Sequence, residues 1–319
     1  MTITVMIATR NRAQHLGEVL ESLAKQETHA AFTYEVLVVD NGSSDGTSEV
    51  VAQKSQRYPV PLRYVREARR GKPFALNTGM AQARGGILAH TDDDVVAEPS
   101  WLFSLWRCFQ ETGADGVAGK IVPRWVDGRP QWLTDRVMRR FGTFGCLDLG
   151  PTRIVMSESE QPWWWVGGNL AFRKALINRV GGVDERRLHG EDAELFRRYR
   201  DAGATIVYEP TAVVQHKIGR ERLTPAYFRQ WHRRAGYYRA YDLGWRPHHV
   251  VSLMPLYGYR ELLRWAYRWA QECLTRQNYW LRLGAECRMR GWWSMVVHRL
   301  QLWPRGMLSV ITPRSFRDA

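Results

Sequence analysis

The sequence predicts an α/β protein, a mostly parallel sheet flanked by helices, continued by a helical, basic and aromatic C-terminal extension. Three observations predict it. Short β-branched runs alternate with helical patterns up to about residue 220, the pattern of βαβ units. Dense turn clusters such as Asn41-Gly42-Ser43-Ser44-Asp45-Gly46 separate the segments. Beyond that point the composition changes: residues 220–319 hold 18 Arg, no Lys, only 6 Asp+Glu, and 8 of the 15 Trp.

The elements follow in order. Ile3 to Thr9 reads as a strand, and 13–25 as a helix with Leu16, Val19, Leu20 and Leu23 on one face. YEVLVVD (34–40) reads as a fully buried strand, and Asp45 is expected to cap a helix over 47–56. A strand at 62–65, a helix at 74–83 and a strand at 87–91 come next. Pro99-Ser100 opens a helix to about 111, before a strand at 116–122. Residues 123–160 carry no clean period and are expected to run over the surface. A helix over 193–202 precedes two strand runs, TIVYEP (205–210) and AVVQH (212–216), and from Thr224 the pattern is helical. The expected domains are 1–222 and 223–319.

The bulk numbers narrow the class. Of 319 residues, 45% are hydrophobic and 24% charged, as in ordinary globular proteins. No apolar run reaches the roughly 18 residues of a spanning helix. MTITVMIATRNR opens as a strand without a basic leader, so no signal peptide is expected. The four cysteines (Cys108, Cys146, Cys273, Cys287) lie far apart and are expected to be reduced thiols of a cytoplasmic protein.

The chemistry concentrates in a few places. Asp92, Asp93 and Asp94 follow an apolar strand, although adjacent carboxylates repel by roughly 1 kcal/mol per pair in water. A hard divalent cation turns that repulsion into chelation; the alternative is a solvated acidic turn. In α/β sheets ligands bind beyond the carboxyl ends of the strands, which favours the first reading for strands ending in Thr9, Asp40 and Thr91-Asp92. Glu191-Asp192 open a helix, where they serve either chemistry or the helix dipole. His216 ends a short strand and is either structural or part of the site.

Seven pieces then carry a family resemblance: ATRNR (8–12), VVDNGSSDGT (38–47), RRGKPFALNTGM (69–80), HTDDDV (90–95), WVGGNLAFRK (165–174), GGVDERRLHGEDAELFRRYRDAG (181–203) and AVVQH (212–216). In this order the chain resembles the family 2 glycosyltransferases, which have the GT-A nucleotide-binding fold. The resemblance implies an inverting transfer from a nucleotide-sugar donor (UDP-, GDP- or dTDP-linked) with Mn²⁺ or Mg²⁺. It implies that Thr9, Arg10, Arg12, Asp40, Lys72, Asn77, Asp92, Asp93 and Gly168 hold the nucleotide-sugar. Asp94, Asp92 and His216 would hold the metal. Asp192 would be the general base, with Glu191 as the second candidate, while Asn41 and Asp45 shape the turn. Trp164, Trp165 and Asn169 would meet the acceptor, a saccharide or a lipid-linked one.

The tail has three readings: plain helical packing, nucleic-acid binding, or an anionic membrane surface. In YRELLRWAYRWAQECL (259–274) one face is expected to hold Leu262, Leu263, Trp265, Ala266, Trp269 and Ala270. Another face carries Arg260, Arg264 and Arg268. Membrane contact is favoured, which places the chain as a peripheral protein on the cytoplasmic face of the inner membrane; nucleic acid is disfavoured. The rival enzymes, a nucleotidyltransferase and a dinucleotide oxidoreductase, lack the glycines they require after the first strand. A non-catalytic binding protein is the rival from another class.

Overall fold

Parallel pairing begins at once, because β1 (Ile3–Thr9) and β2 (Tyr34–Asp40) are mostly apolar runs buried on both faces, which suits the interior of a covered sheet. The computed structural model describes residues 1–158, 167–187, 190–242, 256–275 and 278–311. Between these strands runs α1 (Ala13–Leu23), which buries Leu16, Val19, Leu20 and Leu23. Then follow α2 (Thr47–Ser55), β3 (Leu62–Arg66), α3 (Lys72–Gln82), β4 (Ile87–Thr91), β5 (Val95–Ala97), α4 (Trp101–Thr112) and β6 (Gly116–Trp125). The chain continues through α5 (Asp135–Phe141), β7 (Ile154–Val155), β8 (Asn169–Arg173), α6 (Lys174–Val180), α7 (Glu191–Asp201), β9 (Ile206–Ile218), α8 (Pro225–Asp242), α9 (Leu256–Thr275) and α10 (Tyr279–Ile311).

The sheet order is β3-β2-β1-β4-β8-β6-β9-β5, with β7 on β9. The first four strands pair in parallel, Thr9 opposite Asp40 and Ile7 opposite Thr91. That register sets the ends of β1, β2 and β4 along one rim. Beyond β4 the resolved pairings turn antiparallel: β4 with β8, β8 with β6, β9 with β5 and with β7. The sheet is therefore mixed, and its parallel half carries the rim.

Three local expectations are corrected. The N-cap of α2 is Gly46, not Asp45; the Asp45 carboxylate instead accepts from the backbone of Thr47 and of Ala13. The stretch from 123 does not simply run over the surface, since it holds α5 and β7 and buries Val137, Phe141 and Met156. Thr134 caps α5 by accepting from the Val137 N–H. The runs TIVYEP and AVVQH form one strand, β9, which passes through Pro210.

The chain forms two compact units: Met1–Arg124 with Gly145–Ile218, and Trp125–Phe144 with Gly219–Ala319. The first contains the sheet and its flanking helices. In the second, α10 packs along α8 and α9 around Ala240, Trp265, Ala285, Trp292, Met295 and Val296. Phe141 stacks on Phe228 with ring centroids 4.0 Å apart. All four cysteines are free thiols. Among the described residues no helix is long and apolar enough to cross a membrane.

Candidate active site

The rim of the parallel half gathers the acidic trio with the ends of β1, α3, α7 and β9. Three side chains answer the question of how neighbouring aspartates are tolerated. Lys72 Nζ donates to Asp92 Oδ1 at 2.9 Å and lies 3.7 Å from Glu191. Arg12 bridges the other two carboxylates, 3.0 Å from Asp93 Oδ1 and 2.9 Å from Asp94 Oδ2. Thr9 Oγ1 donates to Asp93 Oδ2 at 2.7 Å. The trio thus points three ways: Asp92 toward α3, Asp93 back to β1, and Asp94 toward β9.

Asp93 is tied by both oxygens to the end of β1, which makes it a strut between the loops after β1 and β4. Burial raises its pKa, and Arg12 and Thr9 oppose that rise. Burial alone would also raise Asp92, but Lys72 and His90 outweigh it and hold the carboxyl below its ordinary value. Burial disfavours the Lys72 ammonium, yet Asp92, Glu191 and Asp192 together raise its pKa. Lys72 therefore carries a fixed positive charge inside the crevice.

The second shared feature is set by sheet register. β5 pairs antiparallel with β9, Val95 opposite His216, and the Lys217 N–H donates to the Asp94 carbonyl. This brings His216 Nε2 within 3.6 Å of Asp94 Oδ1. The Asp94 carboxylate is an oxygen donor of the kind Mn²⁺ or Mg²⁺ takes, and the His216 imidazole beside it is a nitrogen donor more usual for transition metals. Among the described residues no group of three or more His, Cys, Asp or Glu is gathered that could hold a metal. Asp92, the other expected ligand, is turned to Lys72.

α7 begins at Glu191, and both of its first carboxylates face inward. Asp192 Oδ2 accepts from the Gly167 N–H at 2.9 Å, and Oδ1 from the Ala193 N–H at 2.8 Å. Burial, reinforced by the charge of Glu191 and opposed by Lys72, raises its pKa to about 7. A recess beside it is lined by Lys72, His90, Gly167, Glu191 and Asp192 at its polar end, with Leu88, Leu170 and Phe172 among its apolar walls. Burial lowers the His90 pKa to about 4, so this imidazole is neutral near physiological pH.

Backbone comes close to these carboxylates at two glycines, where a side chain would push them aside by a few tenths of an ångström. A Cβ on Gly168 would lie 3.1 Å from Asp92 Oδ2, and one on Gly167 would lie 3.1 Å from Asp192 Oδ2. The Gly168 carbonyl accepts from Thr91 Oγ1, which holds this strand entry against β4. Gly71, at φ 140°, turns the chain into α3 directly before Lys72.

The remaining expected residues divide. Asp40 is buried; Oδ1 accepts from the Ser43 N–H at 2.8 Å and Oδ2 from the Tyr64 hydroxyl at 2.6 Å. The Asn41 side chain, expected to shape its own turn, instead ties it to the segment before α3, donating to the Arg69 carbonyl and accepting from the Gly71 N–H. Arg10 is exposed at the end of β1. Asn77 does not reach the crevice with a spare group: it exchanges hydrogen bonds with the Val183 backbone and donates to Glu185. Nor does the structure bring Asn169 to the surface. It is fully buried, donating to the Lys120 and Ala212 carbonyls and accepting from the Trp101 indole. Trp163, Trp164 and Trp165 lie outside the described residues.

Sequence reasoning passed over Tyr64, Asn11 and Glu67. Asn11, at φ 53°, accepts from the Ser44 N–H and so fastens the loop after β1 to the turn after β2. Glu67 accepts from Arg69 and from Thr78, and Arg69 also reaches Glu185. These contacts lock the segment that delivers Lys72. The signal for Tyr64 was its place on a short strand with alternating polar side chains.

Comparison with known proteins follows the same lines. Residues 4–169 match the model of a family described as glycosyl transferase family 2. Glycosyltransferase AglE of Haloferax volcanii is 27% identical over 214 residues, which is 67% of this chain and 66% of AglE. The glucosyl-dolichyl phosphate glucuronosyltransferase of the same organism is 26% identical over 233 residues, covering 68% of this chain and 70% of its own. Among solved structures, the mannosyltransferase PcManGT from Pyrobaculum calidifontis, in complex with GDP-Man and Mn²⁺, superposes with a TM-score of 0.55 at 18% identity. It covers 98% of this chain and 81% of its own, a likeness of fold, the GT-A fold.

Proposed function

The chain belongs to glycosyl transferase family 2, and on that footing we propose that it moves a sugar from a nucleoside-diphosphate donor to a hydroxyl acceptor, with inversion at the anomeric carbon. One observation carries the reading: a half-buried carboxylate, Asp192, whose pKa is pushed up to about 7, lines a recess with Lys72, whose ammonium in turn holds Asp92 of the acidic trio.

The chemistry assigns each group a task. The acceptor hydroxyl loses its proton to Asp192 as its oxygen bonds to the anomeric carbon, while the bond from that carbon to the diphosphate oxygen breaks. A base with a pKa near the working pH suits proton removal from an alcohol in the transition state. Gly167 and Ala193 N–H groups hold the carboxylate in one orientation. Lys72 meets the negative charge growing on the departing diphosphate. A single displacement needs one base and one anion-stabilising cluster, and the crevice supplies one of each. Glu191, 3.7 Å from the Lys72 ammonium, is assigned to fixing that charge; Asp192 is assigned the proton.

Asp94 and His216 would hold Mn²⁺ or Mg²⁺, with Asp92 near the ribose. A cation bound there supplies Lewis-acid stabilisation of the leaving diphosphate. Thr9, Arg10, Arg12 and Asp40 line the nucleotide end, and Asp40, already fixed by Tyr64 and Ser43, presents a rigid acceptor to the base. The GDP-Man and Mn²⁺ of the Pyrobaculum structure support a nucleotide-sugar donor with a divalent ion. The dolichyl phosphate in the name of the Haloferax relative supports a lipid-linked acceptor, with a saccharide acceptor as the alternative. Free thiols support a reaction in the reducing cytoplasm.

A screen of nucleotide-sugars with Mn²⁺ tests the proposal. One donor is expected to be consumed, with consumption stopped by EDTA and by Asp192→Asn. The anomeric proton coupling of the product reads the inversion. Consumption of no donor, or of one with Asp192→Asn at the wild-type rate, overturns it.

A further inference from the structure

We propose that the outward face of α9 is a docking surface for an anionic lipid bilayer. α9 has two apolar sectors. Leu262 and Trp265 turn inward with the core of α8, α9 and α10. Against the sequence expectation of a single face, Leu263 does not join them. It belongs to a second stripe, Tyr259, Leu263, Tyr267, Ala270 and Leu274, at spacings that stay on one side of a helix. Exposure decides its status: Leu263 is 70% accessible, Tyr267 63% and Leu274 85%. A contiguous apolar stripe left in water over about four turns of a helix marks an interaction site.

The charge beside the stripe selects the partner. Arg260 and Arg264 are exposed along one edge at fourfold spacing, with Arg268 stacked over Trp265 at 5.1 Å. Trp269, 38% exposed, stands on the opposite edge. An apolar sector edged by arginine and carrying tyrosine and tryptophan is what an interfacial helix needs. The apolar side chains enter the acyl boundary, the aromatic rings sit at headgroup level, and the guanidinium groups reach the phosphates. Residues 220–319, with 18 Arg against 6 acidic residues, add long-range attraction to such a surface. A second copy of the chain fits less well, because a twofold contact through this face would bring equivalent arginine rows together.

Flotation of the full chain with vesicles tests this without donor or acceptor, so its outcome is independent of the proposed sugar chemistry. The wild type is expected to float with phosphatidylcholine–phosphatidylglycerol vesicles and to stay behind with phosphatidylcholine alone. Leu263→Glu with Leu274→Glu is expected to abolish flotation while far-UV circular dichroism stays unchanged. Arg260→Gln with Arg264→Gln is expected to weaken vesicle binding roughly thirtyfold, at about one tenfold step or less per arginine. Wild-type flotation by both double variants overturns the proposal, as does failure of the wild type to float. So does a dimer in light scattering that Leu263→Glu dissociates without any vesicle binding, since the face would then join two copies.

Discussion

Asp94 Oδ1 lies 3.6 Å from His216 Nε2 because β5 and β9 pair with Val95 opposite His216. Two residues 122 positions apart in sequence are thereby fixed at one point of the rim by backbone hydrogen bonds. The same rim carries Asp92 with Lys72, and Asp93 with Thr9 and Arg12.

The first prediction concerns that pair. If Asp94 and His216 hold the cation, Asp94→Asn or His216→Ala weakens Mn²⁺-dependent binding of UDP by about 2 kcal/mol, roughly thirtyfold in Kd. Titration calorimetry with and without EDTA reads it. Equal affinity in wild type and both variants would remove these residues from the cation site.

Asp192 gives the second. Asp192→Asn keeps the shape of the side chain but cannot take a proton, so kcat falls by about 10²–10⁴ while donor affinity changes little. Its pH profile has a definite sign. A base acts deprotonated, and because burial raises the Asp192 pKa of the free protein to about 7, kcat/KM rises as pH increases through that value and levels off above it. An ordinary carboxylate would place the rise near about 4. A flat profile between about pH 5 and 8 argues against Asp192 as the base.

Asp93 is predicted to act on stability. Its oxygens are taken by Thr9 and Arg12, so Asp93→Ala leaves the buried Thr9 hydroxyl without its acceptor, while Arg12 keeps Asp94, and costs about 1–3 kcal/mol. Urea unfolding measures this. An unchanged midpoint with lost donor binding would instead make Asp93 a ligand-contacting group.

Glu67 supplies a stability prediction with pH. Hydrogen bonds from Arg69 and Thr78 lower its pKa to about 2. The ionised carboxylate belongs to the folded state, so its contribution is present above the unfolded value of 4.5 and is lost as pH falls through about 2. Glu67→Gln therefore lowers Tm at neutral pH, and the difference from wild type closes on approach to about pH 2. A difference that does not depend on pH would show that the ion pair with Arg69 is not its source.

Much of this was legible in the sequence. β1, β2 and β4 end at Thr9, Asp40 and Thr91 as expected, because uninterrupted β-branched runs stop at polar residues. Glu191-Asp192 stood out as carboxylates opening a helix after Gly190, but the residues alone left the helix dipole as the alternative, and the base role of Asp192 came with the family resemblance. The antiparallel half of the sheet was not legible, since NLAFR (169–173) carries burial but no direction. β9 was read as two strands because Pro210 looked like a boundary; the structure carries the strand through it. Asn169 and Asn77 lie in family-like segments beside glycines, which hid that both amides serve packing. α9 was assigned one apolar face because periodicity reports that a helix has two kinds of surface, not which apolar sector finds a core.

The most direct test of the central claim is an anomalous-scattering map from a crystal soaked with Mn²⁺ and UDP. A manganese peak bounded by Asp94 and His216 is expected, with the diphosphate toward Lys72 and the uracil toward Asp40. A peak or a nucleotide lodged away from this rim would contradict that claim.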